Sequence, residues 1–271
     1  MFRRSHCPRP EQPAWLWCLM GSRYRDRFSR PTNGGLGDQH LGPLHRMGRR
    51  QDRLLVMDGP ISRHHSVRRS YDTVAEAYAA GFRGELASKP LDRALLACLA
   101  EQAEKGAPIA DLGCGPGHVA AWLAGREVTA VGIDLSPAMI AAGRRDYPQV
   151  EFRVGDLLEL PATDGEFGAA IAFYSIIHLE PGELPRAFEE IHRVLLPGGL
   201  FLVAFHVGAE VRHLDEWWGL AVDVDFRFFQ PSEIADVIER AGFQTEMRLE
   251  RVSYLGEVET RRAYLLARRQ P

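Results

Sequence analysis

The chain has 271 residues, 45% of them hydrophobic and 25% charged, which is enough apolar material for one α/β domain and excludes a disordered or fibrous chain. Charge is unevenly spread: residues 1–57 hold 11 Arg and 4 acidic residues, leaving 22 basic and 32 acidic residues to the rest. So acidic a body suits a phosphate backbone poorly, and no apolar stretch approaches the roughly 20 residues of a membrane helix, so neither nucleic acid nor membrane is expected as a partner.

Residues 1–60 are rich in Arg, Pro and Gly and show no period, which predicts a disordered basic extension ahead of a domain over 61–271. Met57 stands just before the patterned sequence and is expected to be the true translation start. The short apolar run Ala14–Met20 lacks the length and cleavage site of a secretory signal. Cys7, Cys18, Cys98 and Cys114 have neither CxxC nor metal-ligand spacing, so reduced thiols, a cytoplasmic location and no metal are expected.

From Ser70 the pattern becomes regular. A short helix is predicted over Tyr71–Tyr78 and a longer one over Leu91–Ala103, with apolar residues at 91, 94, 95, 98 and 99 on one face. Strands are then predicted near 108–112, 128–133, 150–154, 168–173, 200–206, 244–251 and 261–268, with helices near 117–124, 137–144, 183–195 and 231–241. Alternation of this kind predicts a doubly wound, mostly parallel sheet of seven strands. Ser136-Pro137 reads as a helix cap followed by Pro in the first turn, while Gly198 and Gly242 stand where helices should stop. The last two strands are separated only by a turn around Leu255-Gly256, which predicts a C-terminal antiparallel hairpin with its antiparallel strand at the sheet's edge.

Three motifs carry chemistry. Ile109 to His118 runs from an apolar strand through Gly113-Cys114-Gly115-Pro116-Gly117 into a helix. Glycines let a ligand approach main-chain atoms, and the free N–H groups of the helix start favour a negative group such as a carboxylate. A dinucleotide fingerprint would want a third glycine at His118. The second strand, Val128 to Ile133, ends in Asp134, placed to accept from both hydroxyls of a ribose or, alternatively, to cap the next helix. Asp156 follows the third strand and would reach the adenine end of the same ligand.

These segments resemble the class I S-adenosylmethionine (SAM)-dependent methyltransferases, in particular the small-molecule enzymes acting on quinone precursors or aconitate. The resemblance covers roughly residues 70–270 and rests on DLGCGPG at 111–117, GIDLSP at 132–137, VGDLLELP at 154–161, FYSIIHL at 173–179 and EIHRVLLPGGLFLVAF at 190–205. It implies a Rossmann-like fold, SAM as cofactor, and an enzyme of the class EC 2.1.1, monomeric or dimeric. It implies that Asp111 holds the methionine ammonium, that the backbone of Gly113, Cys114 and Gly115 lies against the methionine, and that Asp134 takes the ribose. Leu135 and Met139 would flank the adenine, Asp156 and Leu157 would meet its edge, and Tyr71 and Tyr174 would complete the cofactor site. For Tyr71, a lid residue or a packing residue are both open readings.

Methyl transfer is an in-line displacement that chiefly needs positioning and exclusion of water. A base is needed only for a protonated nucleophile, and His178, just past the fourth strand, is the candidate, with a structural histidine as the alternative. Tyr174-Ser175-Ile176-Ile177 lacks the polar-Pro-Pro-aromatic loop of base-amino methyltransferases. Acceptor-side residues are expected after the fifth strand: His206, Trp217, Trp218, Arg227 and Phe228, in a stretch whose aromatics would line a pocket for a mostly apolar small molecule or form a packed cap. A nicotinamide dinucleotide oxidoreductase and a non-catalytic SAM-binding regulator are the alternatives in other function classes.

Overall fold

The computed structural model describes residues 60–271, with side chains from Arg63 onward. The basic extension, its expected disorder and the Met57 start lie outside the described residues.

The order is α1 (Pro60–Phe82), a 3₁₀ turn (Glu85–Ser88), α2 (Pro90–Gln102), β1 (Ile109–Leu112), α3 (His118–Ala124), β2 (Ala130–Asp134), α4 (Pro137–Asp146), β3 (Glu151–Val154) and β4 (Phe167–Phe173). A second 3₁₀ turn (Ile176–His178), α5 (Leu184–Val194), β5 (Leu195–Val207), β6 (Val211–Trp217), β7 (Leu220–Arg227), α6 (Pro231–Arg240), β8 (Phe243–Arg251) and β9 (Arg261–Arg269) follow. Seven strands form one sheet in the order β3-β2-β1-β4-β5-β9-β8, and β6 and β7 form a separate ribbon. The doubly wound sheet and its closing hairpin are as expected, with one correction. The antiparallel strand is β9, which pairs with both β5 and β8; it sits inside the sheet, and β8 forms the edge.

β4 shows why these residues make a central strand. Phe167–Phe173 is buried almost throughout and alternates small side chains. Ala170 and Ala172 face Phe188 and Ile191 of α5 on one side, while Ala169 and Ile171 face Leu96 and Leu99 of α2 on the other. A strand covered on both faces has no need of polar alternation.

Strand order reverses between β1 and β4, and in such sheets a crevice opens outside the carboxyl ends at that point. α4 starts there with Ser136 as its cap, whose hydroxyl oxygen accepts from the Met139 N–H at 3.1 Å. Gly242 follows α6 in the left-handed region at φ 94°, as a helix stop should, whereas Gly198 at φ 77° lies within β5 and stops no helix.

Two elements differ from expectation. α1 has 23 residues, far more than the short helix predicted over 71–78. The aromatic stretch after β5 is a hairpin, whose Trp217↔Leu220 pairing leaves only Trp218 and Gly219 in the turn.

Candidate functional site

A cavity of about 410 Å³ lies at the carboxyl ends of β1, β2, β4 and β5, roofed by α1 and the β6–β7 hairpin. Gly113, Cys114 and Gly115 form its floor as the chain leaves β1. Gly113 has φ 67°, and a Cβ there would lie 2.3 Å from that of Ser175, so the turn requires a residue with no side chain.

Asp111 is 2% exposed, and its Oδ2 accepts from the Ala120 N–H of α3 at 3.1 Å. Burial pushes its pKa up to about 7; the His118 charge and the Ala120 bond oppose this, and the Asp134 charge adds to it. Asp134 bridges two loops: Oδ2 accepts from Gly115 N–H at 2.7 Å and Oδ1 from Ser136 N–H at 2.8 Å. Burial lifts it to about 6 against those two bonds. Neither carboxylate has a cationic ion-pair partner among the described residues, so a buried acid and a half-buried one face the cavity held only by N–H donors and the more distant His118 charge. Asp156 differs: its Oδ2 meets His64 Nδ1 at 2.9 Å, and its Oδ1 accepts from Leu158 N–H at 2.9 Å.

The roof is tied down by polar contacts. Asp72 accepts from the Ser136 hydroxyl at 2.6 Å, and the Ser70 hydroxyl donates to the Asp223 carbonyl at 3.1 Å. His178 Nδ1 stands 2.9 Å from the Asp225 carbonyl, which can only accept, so Nδ1 carries the proton. Its Nε2 then accepts from the Tyr71 hydroxyl at 2.7 Å. Burial presses the His178 pKa down to about 4 and holds the ring neutral. Tyr71→Phe should remove one anchor worth about 1 kcal/mol and speed amide exchange along α1 about fivefold; unchanged exchange would show that the roof does not depend on this bond.

Most of the expected site residues come together. Tyr71, Asp111, Gly113, Cys114, Gly115, Asp134, Leu135, Asp156, Leu157, Tyr174 and His178 line the cavity, as do His206, Trp217, Trp218 and Phe228. Two do not. Met139 is fully buried in a cluster with Val74, Ala75 and Trp217, because α1 packs across α4 and covers it. Arg227 is engaged by Glu180 and stands 3.7 Å from Asp225, so its charge is already matched away from the cavity. As placed, His178 has both ring nitrogens committed and offers no free lone pair. Tyr174 sits at φ 55°, an uncommon conformation for a bulky residue and one that concentrates at functional sites.

Several lining residues were not expected: His64, Tyr78, Phe82, Lys89, Asp92, Arg212 and Arg262. Tyr78 was within reach of the sequence, lying seven positions after Tyr71 on the same helix face. The charged residues come from three distant segments with no shared motif. Among the described residues no helix is long and apolar enough to cross a membrane, no group of three or more His, Cys, Asp or Glu could hold a metal, and Cys98 and Cys114 are free thiols.

Comparison with known proteins agrees with this geometry. Residues 109–199 match a family model described as a methyltransferase domain. The chain is 35% identical over 143 residues to a demethylmenaquinone methyltransferase of Chlorobaculum parvum, covering 49% of this chain and 57% of that protein. It is 32% identical to a malonyl-[acyl-carrier protein] O-methyltransferase of Pectobacterium atrosepticum, covering 43% and 45%. The chain thus spans about half the length of the curated relatives it matches. A solved 1,6-didemethyltoxoflavin-N1-methyltransferase of Burkholderia thailandensis, bound to its substrate and S-adenosylhomocysteine, superposes with a TM-score of 0.58 at 19% identity, over 79% of this chain and 93% of that one. At that identity the likeness speaks for the fold. Residues 109–199 thus match a methyltransferase domain, and the sheet around them has the fold of the solved methyltransferases.

Proposed function

We propose that the protein binds SAM and transfers its methyl group to a small-molecule acceptor. The observation that carries this reading is a pair of acids, Asp111 buried and Asp134 half-buried, beside a side-chain-free turn at the carboxyl ends of β1 and β2. Such a site calls for a ligand with a cationic group and hydroxyl donors, and SAM has both. When bound, the cofactor supplies an activated methyl group.

The chain's own residues then have defined tasks. Asp111 would hold the ammonium, directly or through water, and the backbone at Gly113, Cys114 and Gly115 would lie along the methionine. Asp134 would accept from the ribose hydroxyls, in place of or beside its present N–H partners. Leu135 and Leu157 would flank the adenine, and Asp156, steadied by His64, would meet its edge. α1 and the hairpin exclude water, and the Tyr71–His178–Asp225 series fixes their relative position. His178 is therefore proposed as a positioning residue. His206 is an imidazole with an open nitrogen: Nδ1 stands 2.8 Å from the Thr260 hydroxyl, and Nε2 has no partner among the described residues. The matched methyltransferase domain and His118 at the third-glycine position weigh against the nicotinamide alternative. Free thiols and the lack of a spanning helix among the described residues are compatible with an enzyme working in the cytoplasm.

The raised Asp111 gives the test. A carboxyl lifted to about 7 must lose its proton to hold an ammonium, so affinity rises with pH through 7. From pH 5.5 to pH 8, Asp111 alone should raise S-adenosylhomocysteine affinity about 30-fold, and Asp111→Asn should cut the slope to the roughly fourfold that Asp134 contributes. The same slope in the variant would remove Asp111 from that role. Stability of the free protein runs the opposite way. Folded Asp111 and Asp134 retain protons that the unfolded chain loses near pH 4, so their contribution is full below that and is lost as pH rises through about 6 to 7.

A further inference from the structure

The start of α1 carries a histidine that faces two carboxylates. His64 lines the cavity, its Nδ1 hydrogen-bonded at 2.9 Å to Oδ2 of Asp156, just past β3. Its Nε2 stands 3.2 Å from Oε1 of Glu183, at the N-cap position of α5, an ion-pair contact rather than an aligned hydrogen bond. Glu183 Oε1 is buried and has no hydrogen-bond partner among the described residues. The other oxygen, Oε2, accepts from the Glu180 N–H at 2.8 Å and lies 4.0 Å from Arg63 Nη1.

An ionised carboxylate only accepts, and a neutral imidazole carries one N–H. With a neutral ring, one of the two carboxylates would face a lone pair; the imidazolium turns an N–H to each. The geometry therefore requires a protonated His64. Two arginines stand nearby, Arg63 on the same helical turn and Arg227 on β7, and both are engaged by Glu180. Asp156 and Glu183 are left to set the charge on the ring, with Arg63 opposing from the far side of Glu183. In keeping with this, the bond to Asp156 raises the His64 pKa above the ordinary histidine value near 6.5; burial opposes the rise, and the charges of Asp156 and Glu183 add to it.

Resting on the methyltransferase reading, we propose that His64 is a positioning residue for the cofactor: its imidazolium clasps Asp156 and Glu183 together and fastens the start of α1 over the adenine end, so that loss of its proton speeds cofactor release. Asp156 can serve both partners. One oxygen meets His64 and the other the Leu158 N–H, and each keeps a second lone pair for the adenine edge. Farther along, α1 is tied by Ser66 and Ser70 to Asp223 and by Asp72 to Ser136. The turn beside Asp156 is therefore the part that loosens. The clasp is complete below about pH 6.5 and is lost as pH rises through the raised His64 value, the reverse of the gain in affinity that Asp111 gives.

The test compares the full native chain with His64→Gln, which keeps an N–H donor and has no charge. Binding of S-adenosylhomocysteine to both proteins is measured first, and its release is then timed by stopped-flow. At pH 6.5 the variant should release it about 3- to 10-fold faster, the loss of one charge-assisted contact at a half-buried site. At pH 9.5 the two rates should converge. The ratio of the rates cancels Asp111 and Asp134, which titrate in both proteins. Glu183→Gln, outside the cofactor contacts, should move the convergence to lower pH, and NMR titration of His64 in the free protein should shift the same way. A ratio that does not change with pH, equal rates at pH 6.5, or a His64 that titrates at or below the ordinary histidine value would overturn the proposal. Absence of S-adenosylhomocysteine binding in both proteins would count against the methyltransferase reading instead, and the NMR titration would still decide the clasp.

Discussion

Asp134→Ala is expected to weaken S-adenosylhomocysteine binding by about 2–4 kcal/mol, or roughly 30- to 1000-fold. Asp134 does two jobs in the structure. It is the proposed ribose acceptor, half-buried at the cavity wall, and it holds the Gly115 and Ser136 N–H groups that set the shape of both loops. Alanine removes the proposed ribose acceptor and leaves two part-buried donors unpaired, each costing up to about 1–3 kcal/mol before the loops relax. Asp134→Asn keeps one acceptor oxygen and should lose about half as much free energy. Affinity of the alanine variant within threefold of the native protein would remove Asp134 from the site.

The second large effect is expected at Gly113. An alanine Cβ would stand 2.3 Å from Ser175 Cβ, and the residue already has φ 67°. The left-handed conformation costs a non-glycine residue about 1–2 kcal/mol, and overpacking adds about 1–3. Gly113→Ala should therefore lose about 2–5 kcal/mol of stability, read as a lower denaturant midpoint with an unchanged slope. The same clash pushes the β1 turn away from the loop after β4, so cofactor affinity should fall with it. A midpoint within error of the native value would mean that the turn and Ser175 are not packed as described.

The sheet was legible because its signals are local. β1 carries its own Gly-rich turn, β2 ends in Asp134, and α4 opens on Ser136-Pro137, so each boundary is written within a few residues. The β6–β7 hairpin was not legible for a related reason. A two-residue turn of this kind needs positive φ at both central positions, usually signalled by Asn-Gly or Asp-Gly. Here Trp218 takes φ 54° and Gly219 φ 76°, and a tryptophan in that place gives no warning. α1 was cut short because residues 60–70 are mostly polar and basic; its length comes from tertiary bonds such as Asp72 to Ser136 and Ser70 to Asp223, which a local pattern does not show. Met139 was placed by analogy of position on α4, and the roof helix that covers it lies more than 60 residues earlier in the chain. Arg227 was expected on the acceptor side because its ion-pair partner, Glu180, is 47 residues away and no local pattern links the two.

The central claim concerns the cofactor, and calorimetric titration of the purified chain tests it most directly. SAM and S-adenosylhomocysteine should each bind at one site with micromolar affinity, about −8 kcal/mol, while NAD gives no heat of binding. Binding of NAD, or failure of both SAM and S-adenosylhomocysteine to bind at pH 8, where Asp111 and Asp134 are ionised, would contradict the account.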